Sequence, residues 1–161
     1  MSEIHKLNTD LASEDISTLV FHLVNDKLFL PDLMRDYKIL IDSLSSAFEV
    51  WPKPFGIYDN EKLVGCVLMT DIVPEHQARL LVWLWAKSAA TAKTIRWLKD
   101  YLDYMKNQYA LKRIMAQSSC KKLNRILDML GFAQEGRFRH AMKWGGKLYT
   151  LVQYRRIFTE D

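Results

Sequence analysis

The run LGFAQEGRFRHAMKWGGKLYT, Leu130–Thr150, decides the fold. Upstream of it, Leu123, Ile126, Leu127 and Leu130 stand at i, i+3, i+4 and i+7, one apolar stripe of a short helix, with Lys121, Lys122 and Arg125 off the stripe. Gly131 suits the left-handed residue just past a helix end, where a side chain would clash, and Phe132 covers the last turn. A charged connector follows. Gly145-Gly146 then suits a two-residue hairpin turn requiring positive φ, with Phe138–Trp144 and Leu148–Tyr154 as its strands. Taken alone, this is a helix-plus-hairpin ending of an α/β protein.

Working outward, the preceding residues alternate between the two periods. Thr91–Gln108 reads as a long helix with Ile95, Leu98, Leu102, Met105 and Tyr109 inward, and Arg113–Ser118 as a short strand after it. Leu80–Trp85 and Leu63–Thr70 are apolar on both faces, as central strands are, with the loop Val73-Pro74-Glu75-His76 between them. Asp59-Asn60-Glu61-Lys62 is a turn, and Phe55–Tyr58 is a strand released by the break at Trp51-Pro52-Lys53-Pro54.

Nearer the start, Ser13 caps a helix with Glu14 and Asp15 in its first turn and Ile16, Leu19, Val20 and Leu23 inward. Pro31 starts a second helix with Leu33, Tyr37, Leu40 and Leu44 inward. Glu3–Leu7 is a short first strand. The order is β, α, α, three strands, α, β, α, two strands, which a single mixed-sheet domain over residues 1–161 accommodates.

Composition narrows the classes. The chain has 161 residues, 49% of them hydrophobic and 26% charged, enough for a core and for a polar surface. Cys66 and Cys120 are its only cysteines, so no disulfide framework is implied and a reducing compartment is expected. The start, MSEIHKLNTD, lacks an apolar signal core, and no apolar run approaches the ~18 residues of a membrane span. His5, His22, His76 and His140 show no metal-ligand spacing with the cysteines. Nor is there a Gly-x-Ser-x-Gly or P-loop pattern. The net charge of +4 suits an anionic ligand such as a nucleotide phosphate. Lys121, Lys122, Arg125, Arg137, Arg139 and Lys143 read as a solvated basic face, because no nucleic-acid-binding motif accompanies them.

The element order and the Leu130–Thr150 ending resemble the GNAT acyltransferases, especially their RimJ/RimL-like protein N-acetyltransferase branch; Glu135, Gly136, Arg139, Gly146 and Tyr154 match that branch. The resemblance implies a mixed central sheet, flanked by helices, in which two parallel strands splay and the pantetheine of acetyl-CoA lies in the gap. It also implies that the pyrophosphate sits on the backbone amides of the loop and helix start that follow. Free N–H groups and a helix dipole bind an anion without a particular side chain. The family writes this loop Gln/Arg-x-x-Gly-x-Gly/Ala; here it reads Lys87, Ser88, Ala89, Ala90, Thr91, Ala92, followed by Lys93. Ala90 stands at the first glycine position.

Three other positions depart from the family. Cys120 replaces an asparagine at the start of the short helix, and Leu127 replaces the tyrosine that many GNAT enzymes use as general acid. Thr150 stands where the branch often carries aspartate.

For the chemistry, backbone amides of Val82, Trp83, Leu84 and Trp85 are the expected carbonyl polarisers. Glu75 and His76 are the base candidates, each otherwise a solvated loop residue. Cys120 is a candidate acid, otherwise a small buried side chain, and Tyr149 and Tyr154 are further candidates. The implied function is an acyl-CoA-dependent N-acetyltransferase of the cytoplasm, with acetyl-CoA as donor and a primary amine such as a protein N-terminus as acceptor. No membrane or nucleic-acid partner is expected. The alternative is a GNAT-fold protein without catalysis, serving as a binding or structural component. The run Leu80–Gly131 also resembles acetyltransferase-like proteins of tailed bacteriophages, which adds a virion assembly to a homo-oligomer among the partners expected.

Overall fold

The computed structural model describes residues 2–25, 37–50, 52–86, 89–119, 121–144 and 146–158. The elements run β1 (Ser2–Lys6), α1 (Glu14–Asn25), α2 (Tyr37–Val50), β2 (Phe55–Asp59), β3 (Lys62–Val73), β4 (Gln77–Leu84), α3 (Ala92–Tyr109), β5 (Arg113–Ser118), α4 (Lys121–Met129), β6 (Ala133–Trp144) and β7 (Lys147–Ile157). This is the order expected. All seven strands form one sheet, β1-β2-β3-β4-β5-β7-β6. Every neighbouring pair is antiparallel except β4 and β5.

Local chemistry explains the joints. The Ser13 hydroxyl accepts the Ile16 N–H at 3.3 Å and caps α1, whose stripe Ile16, Leu19, Val20 and Leu23 is buried. Asn60 and Glu61, at φ 49° and 65°, make the tight turn that joins the paired residues Asp59 and Lys62. Gly131 has φ 86° after α4, as the helix-end reading requires. Trp144 pairs with Lys147 across a two-residue turn in which Gly146 has φ 77°; Gly145 lies outside the described residues. The start of the second helix at Pro31, with Leu33, also lies outside them, while Leu40 and Leu44 are buried.

Strands run past several expected ends, β3 to Val73 and β7 to Ile157 among them, and two differences are set by a partner strand. β4 starts at Gln77 rather than Leu80, because Gln77, Ala78 and Arg79 make the parallel rungs to β5. The connector after Gly131 is strand: Ala133, Gln134, Gly136 and Arg137 pair with β7, and charge on one sheet face does not interrupt a ladder.

Helices cover one face of the sheet and, over β2–β4, part of the other. Alternate β4 residues Ala78, Leu80, Val82 and Leu84 join Leu98, Leu102 and Met105 of α3 and Leu123, Ile126 and Leu127 of α4 in one core. Trp83 faces the other way, into a second core with Leu19 and Leu23 of α1, Leu40 and Leu44 of α2, and Tyr58 and Cys66. Burial pushes the Cys66 thiol and the Tyr58 hydroxyl well above their ordinary values; Tyr58 also donates to Asp15 at 2.7 Å, pinning β2 to α1.

Candidate functional site: the opening between β4 and β5

β4 and β5 are joined by three rungs only, Gln77–Arg113, Ala78–Ile114 and Arg79–Met115. Beyond them β4 runs on to Leu84 and β5 to Ser118, with no further rung between them. On its other edge β4 stays paired with β3 through Leu84. This is the splayed parallel pair.

The phase of the β3–β4 ladder shows which backbone groups face the opening. The Trp85 N–H donates to the Val64 carbonyl at 3.2 Å. Hydrogen-bonded rungs alternate in an antiparallel pair. In this register Trp83–Cys66 and Leu81–Leu68 are the next two. The main-chain N–H and C=O of Val82 and Leu84 therefore point away from β3, toward the side from which β5 has departed. Trp83 and Trp85 spend their main-chain groups on β3. The Trp85 indole is locked as well, donating to the Leu63 carbonyl at 2.9 Å and stacking on His22 at 4.7 Å.

α3 begins just past the end of β4. Thr91 caps it with an extended backbone, φ −97° and ψ 161°, its Oγ1 accepting the Thr94 N–H at 3.2 Å and meeting Thr94 Oγ1 at 3.0 Å. The helix itself cannot satisfy the amides of its first turn, and the dipole adds partial positive charge there. Ala89 is buried and its N–H bonds to the Ala86 carbonyl at 3.1 Å; Ala90, Ala92 and Lys93 are exposed. Ala90 is not in the left-handed region, so alanine replaces the family glycine without backbone strain. Lys87 and Ser88 lie outside the described residues.

Glu75 and His76 do not reach this opening. Glu75 and His76 are exposed at the opposite end of β4. The Glu75 N–H donates to the Tyr109 carbonyl at 2.8 Å, and the His76 carbonyl accepts the Lys112 and Arg113 N–H groups at 2.8 and 3.1 Å. From Gln77 to Val82 the strand climbs roughly 17 Å at ~3.3 Å per residue, so neither side chain is brought to the Val82–Trp85 amides. Cys120 lies outside the described residues. Leu127 is 1% exposed in the core, so the family tyrosine's place is packed with hydrocarbon. Tyr154 is fully buried, its hydroxyl accepting from Gln134 at 3.3 Å, and burial raises its pKa; Tyr149 is half-buried on β7. Asn124 Oδ1, in the first turn of α4 beyond β5, is buried without a hydrogen-bond partner.

The open sheet face holds two residues that the sequence reading passed over, Gln117 and Gln153, beside Glu135, which it read only as a match to the family branch. Gln117 of β5, Gln153 of β7 and Glu135 of β6 form a hydrogen-bonded row, and Arg113 and Arg155 pair with Glu135. The period-2 pattern of RIMAQS does put Arg113 and Gln117 on one face. Only the β5–β7–β6 pairing brings Gln153 and Glu135 beside them.

The sequence profile described as Acetyltransferase (GNAT) domain matches residues 36–151, well over half of the chain. The chain belongs to the GNAT acetyltransferase family. Its fold is shared by solved GNAT structures at low identity. The ribosomal-protein-S5-alanine acetyltransferase from Vibrio fischeri superposes with a TM-score of 0.75 at 18% identity, covering 97% of this chain and 92% of that one. RimL, a ribosomal L7/L12 α-N-protein acetyltransferase solved in complex with coenzyme A, gives 0.75 at 14% identity, covering 97% and 93%. YncA from Salmonella typhimurium, an acetyltransferase solved with acetyl-CoA, gives 0.77 at 10% identity, covering 100% and 96%. No curated protein sequence matches the chain significantly. Among the described residues this GNAT protein has no helix long and apolar enough to cross a membrane, and no cluster of metal-ligating side chains.

Proposed function

We propose that residues 1–161 form one catalytic domain that transfers an acetyl group from acetyl-CoA to a primary amine, in the first place the N-terminus of a protein. The observation that carries this reading is the opening between β4 and β5, with the start of α3 at its end. Two of the GNAT proteins of the same fold, each under 25% identical, act on ribosomal-protein N-termini or alanine, and two were solved with CoA or acetyl-CoA.

The residues present fit such a donor. The amides of Ala90–Lys93 at the start of α3 would hold the pyrophosphate, and Lys87, Ser88 and the Lys93 side chain are proposed to add to that site. The orphaned Asn124 Oδ1 would accept from an N–H or O–H of the bound cofactor. When bound, acetyl-CoA supplies an activated acyl carbon. The N–H groups of Val82 and Leu84 would donate to its carbonyl oxygen, where negative charge would grow as the amine added. Thiolate would leave as the amine nitrogen took its place on the acyl carbon, and the proton lost by nitrogen would return to sulfur through solvent.

Glu75, His76 and Cys120 need not act. An α-amino group has a pKa of about 7.7–8.0, so a useful fraction is neutral near pH 8 without a protein base. Without the family's acid at Leu127 the rate is low, since general acid–base help contributes about 10²–10⁴-fold. A cytoplasmic setting suits this chemistry and the unpaired Cys66.

Leu127 also favours a second reading, a non-catalytic GNAT scaffold that binds CoA or a protein partner, for which a phage virion is one setting. Calorimetric titration with acetyl-CoA, followed by transfer assays on peptides with a free N-terminus, separates the two. Binding with slow transfer that rises with pH supports the enzyme. Binding without transfer across a broad amine panel supports the scaffold, and absence of binding removes the cofactor from both.

A further inference from the structure

The row Gln117–Gln153–Glu135 has a fixed direction. Glu135 is a carboxylate held by Arg113, with Nη2 at 3.2 Å from Oε2 and 3.4 Å from Oε1, and by Arg155, with Nε at 3.6 Å from Oε1. A carboxylate only accepts hydrogen bonds, so Gln153 must turn its NH₂ to it, and Nε2 donates to Oε2 at 3.4 Å. That leaves the Gln153 carbonyl facing Gln117, which must turn its own NH₂ in reply; Gln117 Nε2 donates to Gln153 Oε1 at 3.3 Å. Gln153 is further held by Met115 Sδ at 3.9 Å from Nε2. One charge thus sets the orientation of two amides that would otherwise flip freely, and Gln117 Oε1 is the atom left over, an acceptor without a donor among the described residues.

Gln117 also stands where the strands part. Met115 makes the last β5 rung to β4, and Gln117 is the next residue of β5 on the same face. That face is the one opposite Ile114 and Ala116, whose side chains lie in the α3–α4 core. Gln117 itself is exposed. We infer that Gln117 orients the acceptor amine: its Oε1 accepts one N–H of a neutral primary amine entering from the open face, turning the nitrogen lone pair toward the opening. Gln153 and Glu135 are positioning residues that act through it. A carbonyl oxygen there favours a nitrogen that carries an N–H over one that carries none, without charging the site. This rests on the acetyltransferase reading above, and the experiment separates the two.

CoA-saturated protein is titrated calorimetrically at pH about 9, where α-amino groups are mostly neutral, with hexapeptides starting with Ala, Ser, Gly or Met, each as the free amine and as the N,N-dimethylated form, which when neutral carries no N–H. Steady-state transfer to the free amines is measured alongside. The free amine is expected to bind better than the dimethylated form, and Gln117→Leu to cut that preference and the peptide kcat/KM by about 3- to 10-fold, the worth of one hydrogen bond. CoA affinity should not change. Glu135→Gln should produce a smaller loss that vanishes in the Gln117→Leu background, because its effect passes through Gln117. Equal affinity for both peptide forms, no peptide binding at all, or an unchanged preference in Gln117→Leu overturns the inference. Amine-selective binding that depends on Gln117, with no turnover, supports it and counts against the acetyltransferase reading instead.

Discussion

Thr91→Asp separates the stability of α3 from its proposed role at the cofactor. Thr91 Oγ1 caps the helix through the Thr94 N–H, and Thr94 is fully buried, so the cap serves a donor that water cannot reach. Losing it in Thr91→Ala should cost about 1–2 kcal/mol. That is a fall in Tm of about 2–8 °C, at about 2–4 °C per kcal/mol for a chain of this size. Aspartate keeps the cap and adds a negative charge at the positive end of the helix dipole, worth about 0.3–1 kcal/mol, so Tm should hold or rise. The same charge would stand about 5 Å from a pyrophosphate seated on the helix start. Even in water-like dielectric, one unit charge at that distance repels each phosphate charge by about 0.8 kcal/mol. Two such charges, partly screened by salt, leave about 1–2 kcal/mol, or CoA binding weaker by about 5- to 30-fold. Thermal denaturation without ligand and calorimetric titration with CoA measure the two effects, with Thr91→Ser as the neutral control. A Thr91→Asp protein as stable as wild type that binds CoA equally well would show that the phosphates do not lie at the start of α3.

Because Ala90 has no left-handed backbone, Ala90→Gly should leave CoA affinity unchanged or slightly improved, and Ala90→Leu should weaken it by crowding the loop; titration of both variants checks this. Glu75→Gln and His76→Ala should each leave kcat within about twofold, and a loss on the scale of general base catalysis, about 10²-fold, would bring that end of β4 into the chemistry. Stability should fall at alkaline pH. The Cys66 thiol and the Tyr58 and Tyr101 hydroxyls are raised by burial above their ordinary 9.0 and 10.0, so in this range only the unfolded chain releases those protons. Their contribution is complete below about pH 8.5 and shrinks as pH rises beyond it, by up to about 1.4 kcal/mol per unit for each group; urea midpoints at pH 7, 9 and 10.5 test the sign. Cys66 should resist alkylation at pH 8 until the protein is unfolded.

The element order was legible in the sequence because each element carries its own period and its own stop. The 3.6-residue stripes of α1, α3 and α4, the uninterrupted burial of Leu63–Thr70, the Ser13 cap and the glycines at 131 and 146 are local facts that local chemistry enforces. Edges that depend on a partner were not legible. Gln77–Arg79 is strand because β5 lies beside it, and the Ala133–Arg137 segment is strand because β7 does. The same limit governs the site. The resemblance to the GNAT acyltransferases pointed to the Val82–Lys93 stretch, where the proposed binding groups are backbone amides and no particular side chain is required. Which amides open toward β5 followed only from the register of β4 on β3. Glu75 and His76 are near that stretch in sequence yet lie at the far end of the strand, because an extended chain carries its ends apart. Gln117, Gln153 and Glu135 are distant in sequence and adjacent in space, because β7 is inserted between β5 and β6. Strand pairing, a long-range choice settled by burial on the sheet faces, was the part of this protein that only its tertiary structure decided.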